Sequence, residues 1–179
     1  MALLAEELVE EWLNRHGYFT IRGTKLGVHE IDLLAIRPDG KKLECRQLEV
    51  QASVRPISYI TRVPIEVQRR TGKAPGSAKV RHDDELRQGV REWIKKKFDH
   101  PEKQRLRNQL APGPWSREFV VHVVKHEREL ELIREEGVTV WRLTDMVAEL
   151  KKGGLRLEGA GGAHLLDLVA MAGSERADV

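Results

Sequence analysis

At 179 residues with 40% hydrophobic content the chain can bury a core as one domain, and its single cysteine, Cys45, excludes an internal disulfide or a cysteine-rich zinc site. No apolar run reaches the roughly 18 residues of a membrane span, and the start reads as an acidic amphipathic helix rather than a signal peptide, so a cytoplasmic protein without a membrane partner is expected. The net charge of +3 conceals a polarity: residues 52–108 hold fifteen Lys/Arg against seven Asp/Glu, a surplus of eight, while the rest of the chain is acidic.

The N-terminal helix places Ala5, Leu8, Val9, Trp12 and Leu13 on one face, with Glu6 and Glu10 along its border. Next, Pro38-Asp39-Gly40-Lys41 is a turn between two strand-like runs, residues 29–37 and 42–51, which should pair as an antiparallel hairpin. A turn centred on Asp39-Gly40 makes paired numbers sum to about 79, give or take one, bringing Glu49 near Glu30 and Asp32.

Alternation puts Asp32, Leu34 and Ile36 on one face with Cys45, Gln47, Glu49 and Gln51, and Ile31, Leu33 and Ala35 on the other with Leu48 and Val50. Both faces are largely apolar, which calls for a sheet covered on both sides and makes Cys45 a buried structural thiol. The acids at the far end from the turn suit either a divalent cation or a solvated strand end, and the hairpin alone does not choose between them.

Residues 52–83 carry Arg55, Arg62, Arg69, Arg70, Lys73, Lys79 and Arg81 against only Glu66 and Asp83. Their Thr71–Lys79 stretch has the composition of an exposed, mobile loop, and its glycines lack the spacing of a nucleotide-binding phosphate loop. Lying next to the acids, this basic flank points to a phosphate backbone more than to an ordinary solvated face.

Residues 84–98 read as a helix with Leu86, Val90, Trp93 and Ile94 inward and Lys95, Lys96 and Lys97 near its end. Pro101 and Pro112-Gly113-Pro114 punctuate the stretch beyond this helix, and Trp115 is the one tryptophan placed for base stacking. A strand at 118–124, an acidic helix at 127–136, a strand at 138–142 and a helix at 144–151 imply a parallel crossover. His122 lies in the strand run, so it does not share a helix face with His126 and a zinc pair is not expected. A Gly-rich tether then leads to a short amphipathic helix at 163–171 that must cover its apolar stripe with its own core or a second subunit.

In order and spacing, Glu6, His16-Gly17-Tyr18, Glu30-Ile31-Asp32-Leu33-Leu34-Ala35, Gly40-Lys41-Lys42 and Leu48-Glu49-Val50-Gln51 resemble the PD-(D/E)xK nuclease superfamily. The likeness is nearest to its archaeal Holliday-junction resolvases and Mrr-type endonucleases; it covers residues 3–51 and is weaker over 117–151. It implies an α/β, restriction endonuclease-like αβββαβ core, a mixed central sheet flanked by helices, with an extra C-terminal strand and helices. Residues 1–152 would form the domain, with a basic insertion at about 52–83, and residues 153–179 the tether and last helix.

The resemblance further implies a Mg²⁺-dependent endonuclease, with Mn²⁺ as a substitute, cutting duplex or branched DNA; the two antiparallel backbones of a duplex and the apolar stripe of 163–171 suggest a homodimer. Glu6, Asp32 and Glu49 would hold the metal. Gln51 stands where the family carries a catalytic lysine; its amide donates a hydrogen bond but brings no charge, and Lys95, Lys96 and Lys97 are the candidates to replace it. Arg55, Arg62, Arg69, Arg70, Lys73, Lys79, Arg81, Lys95 and Lys96 would contact DNA. The alternative is an inactive nucleic-acid-binding module of the same fold: the missing lysine favours it, and three acids retained facing phosphates speak against it.

Overall fold

The computed structural model describes residues 2–152. The tether and helix expected within 153–179 lie outside the described residues. After helix α1 (Ala2–Arg15) comes a meander of β1 (Phe19–Leu26), β2 (His29–Asp39) and β3 (Lys42–Gln51). Helices α2 (Ile65–Thr71), α3 (Asp83–Lys97) and α4 (Pro101–Leu110) come next, then β4 (Ser116–Val121), α5 (Glu127–Glu135), β5 (Thr139–Arg142) and α6 (Leu143–Lys152). The five strands form one sheet in chain order, antiparallel through β3 and parallel from β3 to β5. The chain is therefore an α/β protein with a mixed sheet flanked by helices, and the expected crossover is present. Among the described residues no helix is long and apolar enough to cross a membrane.

Both hairpins close with two-residue loops, Gly27-Val28 and Gly40-Lys41, whose glycines sit at φ +58° and +59°. Glycine first at positive φ is what a type II′ turn requires. This corrects the expected register. Gly40, not Asp39, takes the first turn position, so Asp39 stays in the strand opposite Lys42 and paired numbers sum to 81, as in Leu33 with Leu48. Extending that ladder by one pair sets Asp32, rather than Glu30, across from Glu49.

Each sheet face has its own core. Leu33, Ala35, Leu48, Val50 and Val120 pack against Val9, Trp12 and Leu13 of α1 and Met146 and Leu150 of α6. Within this layer Arg46 and Glu118 form a buried two-point ion pair, with Nε to Oε1 at 2.6 Å, enclosed by the rings of Trp12, Tyr18 and Trp141. On the other face Phe119 and Val121 meet Leu86, Val90, Ile94 and Phe98 from α3 and the residue just after it, and Leu130 and Ile133 of α5.

The basic segment 52–83, which includes the Thr71–Lys79 stretch expected as an exposed loop, is tied to the rest of the chain at several points. Ile57 bridges Val124 in parallel, and the buried Glu129 carboxylate accepts from Ile60 N (2.7 Å), Thr61 N (2.9 Å) and Thr61 Oγ1 (2.6 Å). Val63 N bonds Pro75 O at 2.8 Å, and Lys73 pairs with Glu85 at 2.9 Å. Buried Arg81 donates to the carbonyls of Thr61 (2.9 Å) and Ser77 (3.1 Å) and lies over the Tyr59 ring. The charges of Arg81 and Lys73 are thus engaged within the segment's own packing.

Candidate active site

The site lies where β2 and β3 run out beyond their turn, on the face covered by α3 and α4. Glu49 is 1% exposed because β4 pairs along one side of β3 and the two helices lie across it. A buried carboxylate needs compensation, and it comes from residues far along the chain. Lys97 Nζ lies 2.6 Å from Glu49 Oε2 and Lys103 Nζ 3.0 Å from Oε1, which also accepts from Gln47 Nε2 at 3.1 Å. Lys97 O at the end of α3 accepts from both Lys103 Nζ (2.8 Å) and Gln47 Nε2 (2.9 Å), so these groups also cap a helix C-terminus, where positive charge is favoured. Arg107 completes the cluster through Gln47 Oε1 at 2.5 Å.

Around this core stand the other acids. Asp32, half-buried, accepts the Val50 amide at 2.8 Å through one oxygen. Glu6 is half-buried on α1, Glu30 exposed on β2, and Gln51 half-buried at the end of β3 on the same strand face as Glu49. Burial raises the Glu49 carboxyl above the usual carboxylate range, and Asp32 adds to the rise against the pull of Lys97 and Lys103. Burial, then Asp32 and Glu30, raise Glu6 in the same way. Burial opposes the Lys97 ammonium, but Glu49, Asp32 and Glu30 outweigh it and hold that lysine above its ordinary value; for Lys103 burial wins and lowers it.

Asp32 acts on both Glu6 and Glu49, and Glu30 on Glu6, so carboxylates gather at this end of the sheet beside Lys97 and Lys103, an arrangement that a divalent cation would relieve. An all-oxygen donor set also suits a hard ion of the Mg²⁺ type. Glu6, Asp32 and Glu49 do not close to within 4.8 Å of one another, because Glu49 is turned to its lysines. The group that does close to that distance among the described residues is His29, His100 and Glu102.

Lys97, one of the three lysines singled out in sequence, brings to Glu49 from α3 an ammonium that Gln51 does not carry. Lys103, Arg107 and Gln47 were not foreseen as site residues. Pro101 at the first position of α4 is a helix-start signal that could have revealed Lys103 and Arg107. The signal was masked because the buried face of this helix is made of those two cations rather than of apolar side chains.

Of the residues expected at DNA, Arg55, Arg62, Arg69, Arg70, Lys79, Lys95 and Lys96 are exposed. The histidines 122 and 126 are engaged separately, His122 at Ser53 O (2.9 Å) and His126 stacked on Tyr59, and Trp115 donates to Ala111 O.

No protein-family model matches the chain, and no curated protein sequence matches it. Among solved structures the chain is similar to that of AF1548, a protein of unknown function, with a TM-score of 0.46 and 13% identity over 97% of this chain and 79% of that one. A likeness so distant assigns neither family nor activity.

Proposed function

We propose that the chain is a divalent-metal-dependent endonuclease of the PD-(D/E)xK kind that hydrolyses phosphodiester bonds in duplex or branched DNA. The observation that carries this reading is Lys97 at 2.6 Å from Glu49, beside Asp32: acid, acid and cation stand together although the strand itself offers only Glu49-x-Gln51. Glu6, Asp32 and Glu49 would hold Mg²⁺ or Mn²⁺, and such an ion, when bound, polarises the scissile phosphate and acidifies its water. Lys97 is placed to donate to the attacking water or to a phosphate oxygen. Gln51 offers a second, neutral donor, and buried Lys103 favours the ionised form of Glu49 against its burial and orients it. The exposed Arg55, Arg62, Arg69, Arg70, Lys79, Lys95 and Lys96 hold the backbone. Because a duplex presents two antiparallel strands, the cutting form is a twofold homodimer.

One observation favours the alternative, an inactive binding module: both Glu49 oxygens are already engaged by lysines. A panel of labelled duplex, nicked and branched DNAs, with and without Mg²⁺, separates the two. The nuclease reading expects metal-dependent cleavage by the wild type. Asp32→Ala should lose at least the roughly 100-fold that removal of a mere outer-shell partner can cost a metal site. Binding without cleavage on every substrate would decide for the module.

A further inference from the structure

We infer that His29, His100 and Glu102 form a binding site for a transition-metal ion of the Zn²⁺ class, separate from the acid cluster and independent of the nuclease reading. Two local features bring the three together. The Gly27-Val28 turn fixes His29, the first residue of β2, opposite Leu26. His100 immediately precedes Pro101, the first residue of α4, and Glu102 lies in that helix's first turn. One potential ligand atom from each lies within 4.8 Å of the other two, and the imidazole centroids are 3.7 Å apart, tilted by 35°.

The fold leaves these groups free for a ligand. Among the described residues no hydrogen bond or ion pair holds any of the three side chains, and His100 Nδ1 is buried without a partner. The His100 ring is half-buried, and an imidazole nitrogen without a hydrogen-bond partner is a donor that borderline cations accept. Two imidazoles with one carboxylate suit Zn²⁺, Co²⁺, Ni²⁺ or Fe²⁺, whereas Mg²⁺ demands oxygen. Metal–nitrogen bonds of about 2.0–2.1 Å set tetrahedral ligand atoms about 3.4 Å apart, so binding requires the two tilted rings to swing apart and turn a nitrogen each toward the shared ion. An open cleft lined in part by Lys25, Leu26, Gly27 and Arg105 borders the group on the side of Glu102. Once bound, the ion ties the β1–β2 hairpin to the start of α4, the helix whose Lys103 reaches Glu49.

The test is a Co²⁺ titration of the full chain after chelator treatment, monitored by visible ligand-field absorption. One equivalent should give a tetrahedral spectrum that Zn²⁺ bleaches and millimolar Mg²⁺ leaves intact. His29→Ala and His100→Ala should abolish it, Glu102→Gln should weaken binding about tenfold or more, and Asp32→Asn should retain it. His29→Asn and His100→Asn, checked by circular dichroism, serve if an alanine variant fails to fold. No spectrum in the wild type, a spectrum indifferent to both histidines, or one lost with Asp32→Asn would overturn the assignment. Cleavage enters none of these readings, so the nuclease proposal and this one stand or fall separately.

Discussion

A lysine two residues beyond Glu49 would share its strand face, the shortest way to put an ammonium beside the carboxylate. Gln51 occupies that place, and the ammonium comes instead from Lys97, 48 residues away, with buried Lys103 beneath it. If proximity to Glu49 is what matters, the cation's origin in the chain should be interchangeable. Lys97→Met is expected to lower single-turnover cleavage by about 100-fold, within the range of one missing proton-transfer or charge-stabilising group. Adding Gln51→Lys to that variant should restore a substantial part, and Gln51→Lys alone should be tolerated. A double variant as inactive as Lys97→Met would show that Lys97 serves something other than the family lysine's role.

Gly89 sits in the middle of α3, where an alanine would ordinarily strengthen the helix by up to about 1 kcal/mol. Here a Cβ would lie 2.9 Å from Thr61 Oγ1 and 3.1 Å from the Arg62 carbonyl. Thr61 cannot turn away without giving up its 2.6 Å bond to the buried Glu129. Gly89→Ala should therefore destabilise by about 1–2 kcal/mol net in urea unfolding, the overpacking cost exceeding the helix gain. A stabilised variant would mean that segment 57–63 is not held against α3 as described. The same elements show what the sequence could disclose. Strands β2 and β3 and helices α1, α3, α5 and α6 announce themselves because their buried stripes are apolar, so period and face are visible in the letters. Helix α4 buries Lys103 and Arg107, and α2 lies in a stretch whose Gly, Pro and Ser residues suggest a loop, so neither shows an apolar period. That Asp32 and Glu49 come near each other on β2 and β3 was legible in the strand pattern, whereas Glu6 came from the family likeness and the three do not close to within 4.8 Å. The partners of Glu49 were not, because an interaction across 48 or 54 residues leaves no local trace.

For the molecule as a whole, the basic segment is anchored through Ile57, Thr61 and Lys73, so its exposed cations are presented from a packed segment. Neutralising Arg62, Arg69, Arg70 and Lys79 together should weaken DNA binding on every sequence and flatten log affinity against log salt by roughly 0.9 for each phosphate no longer neutralised. An unchanged slope would place the DNA elsewhere. Arg81→Gln should instead lower stability, its charge being buried. The homodimer predicts a two-chain mass in sedimentation at micromolar concentration and a shift toward monomer when residues 160–179 are removed; a monomeric intact chain would exclude a stable dimer. The sheet's connectivity also sets an order of assembly. Its meander closes through two-residue turns, whereas the Arg46–Glu118 pair spans 72 residues and waits for three helices to find their places. Short loops close ahead of long ones. Asp32 and Glu49 are thus brought together early, by the turn at Gly40-Lys41, and their repulsion is unrelieved until Lys97 and Lys103 dock. Lys97 and Lys103, 48 and 54 residues from Glu49, are in this sense a latch of the fold, and long-range contacts of this kind are expected to form late.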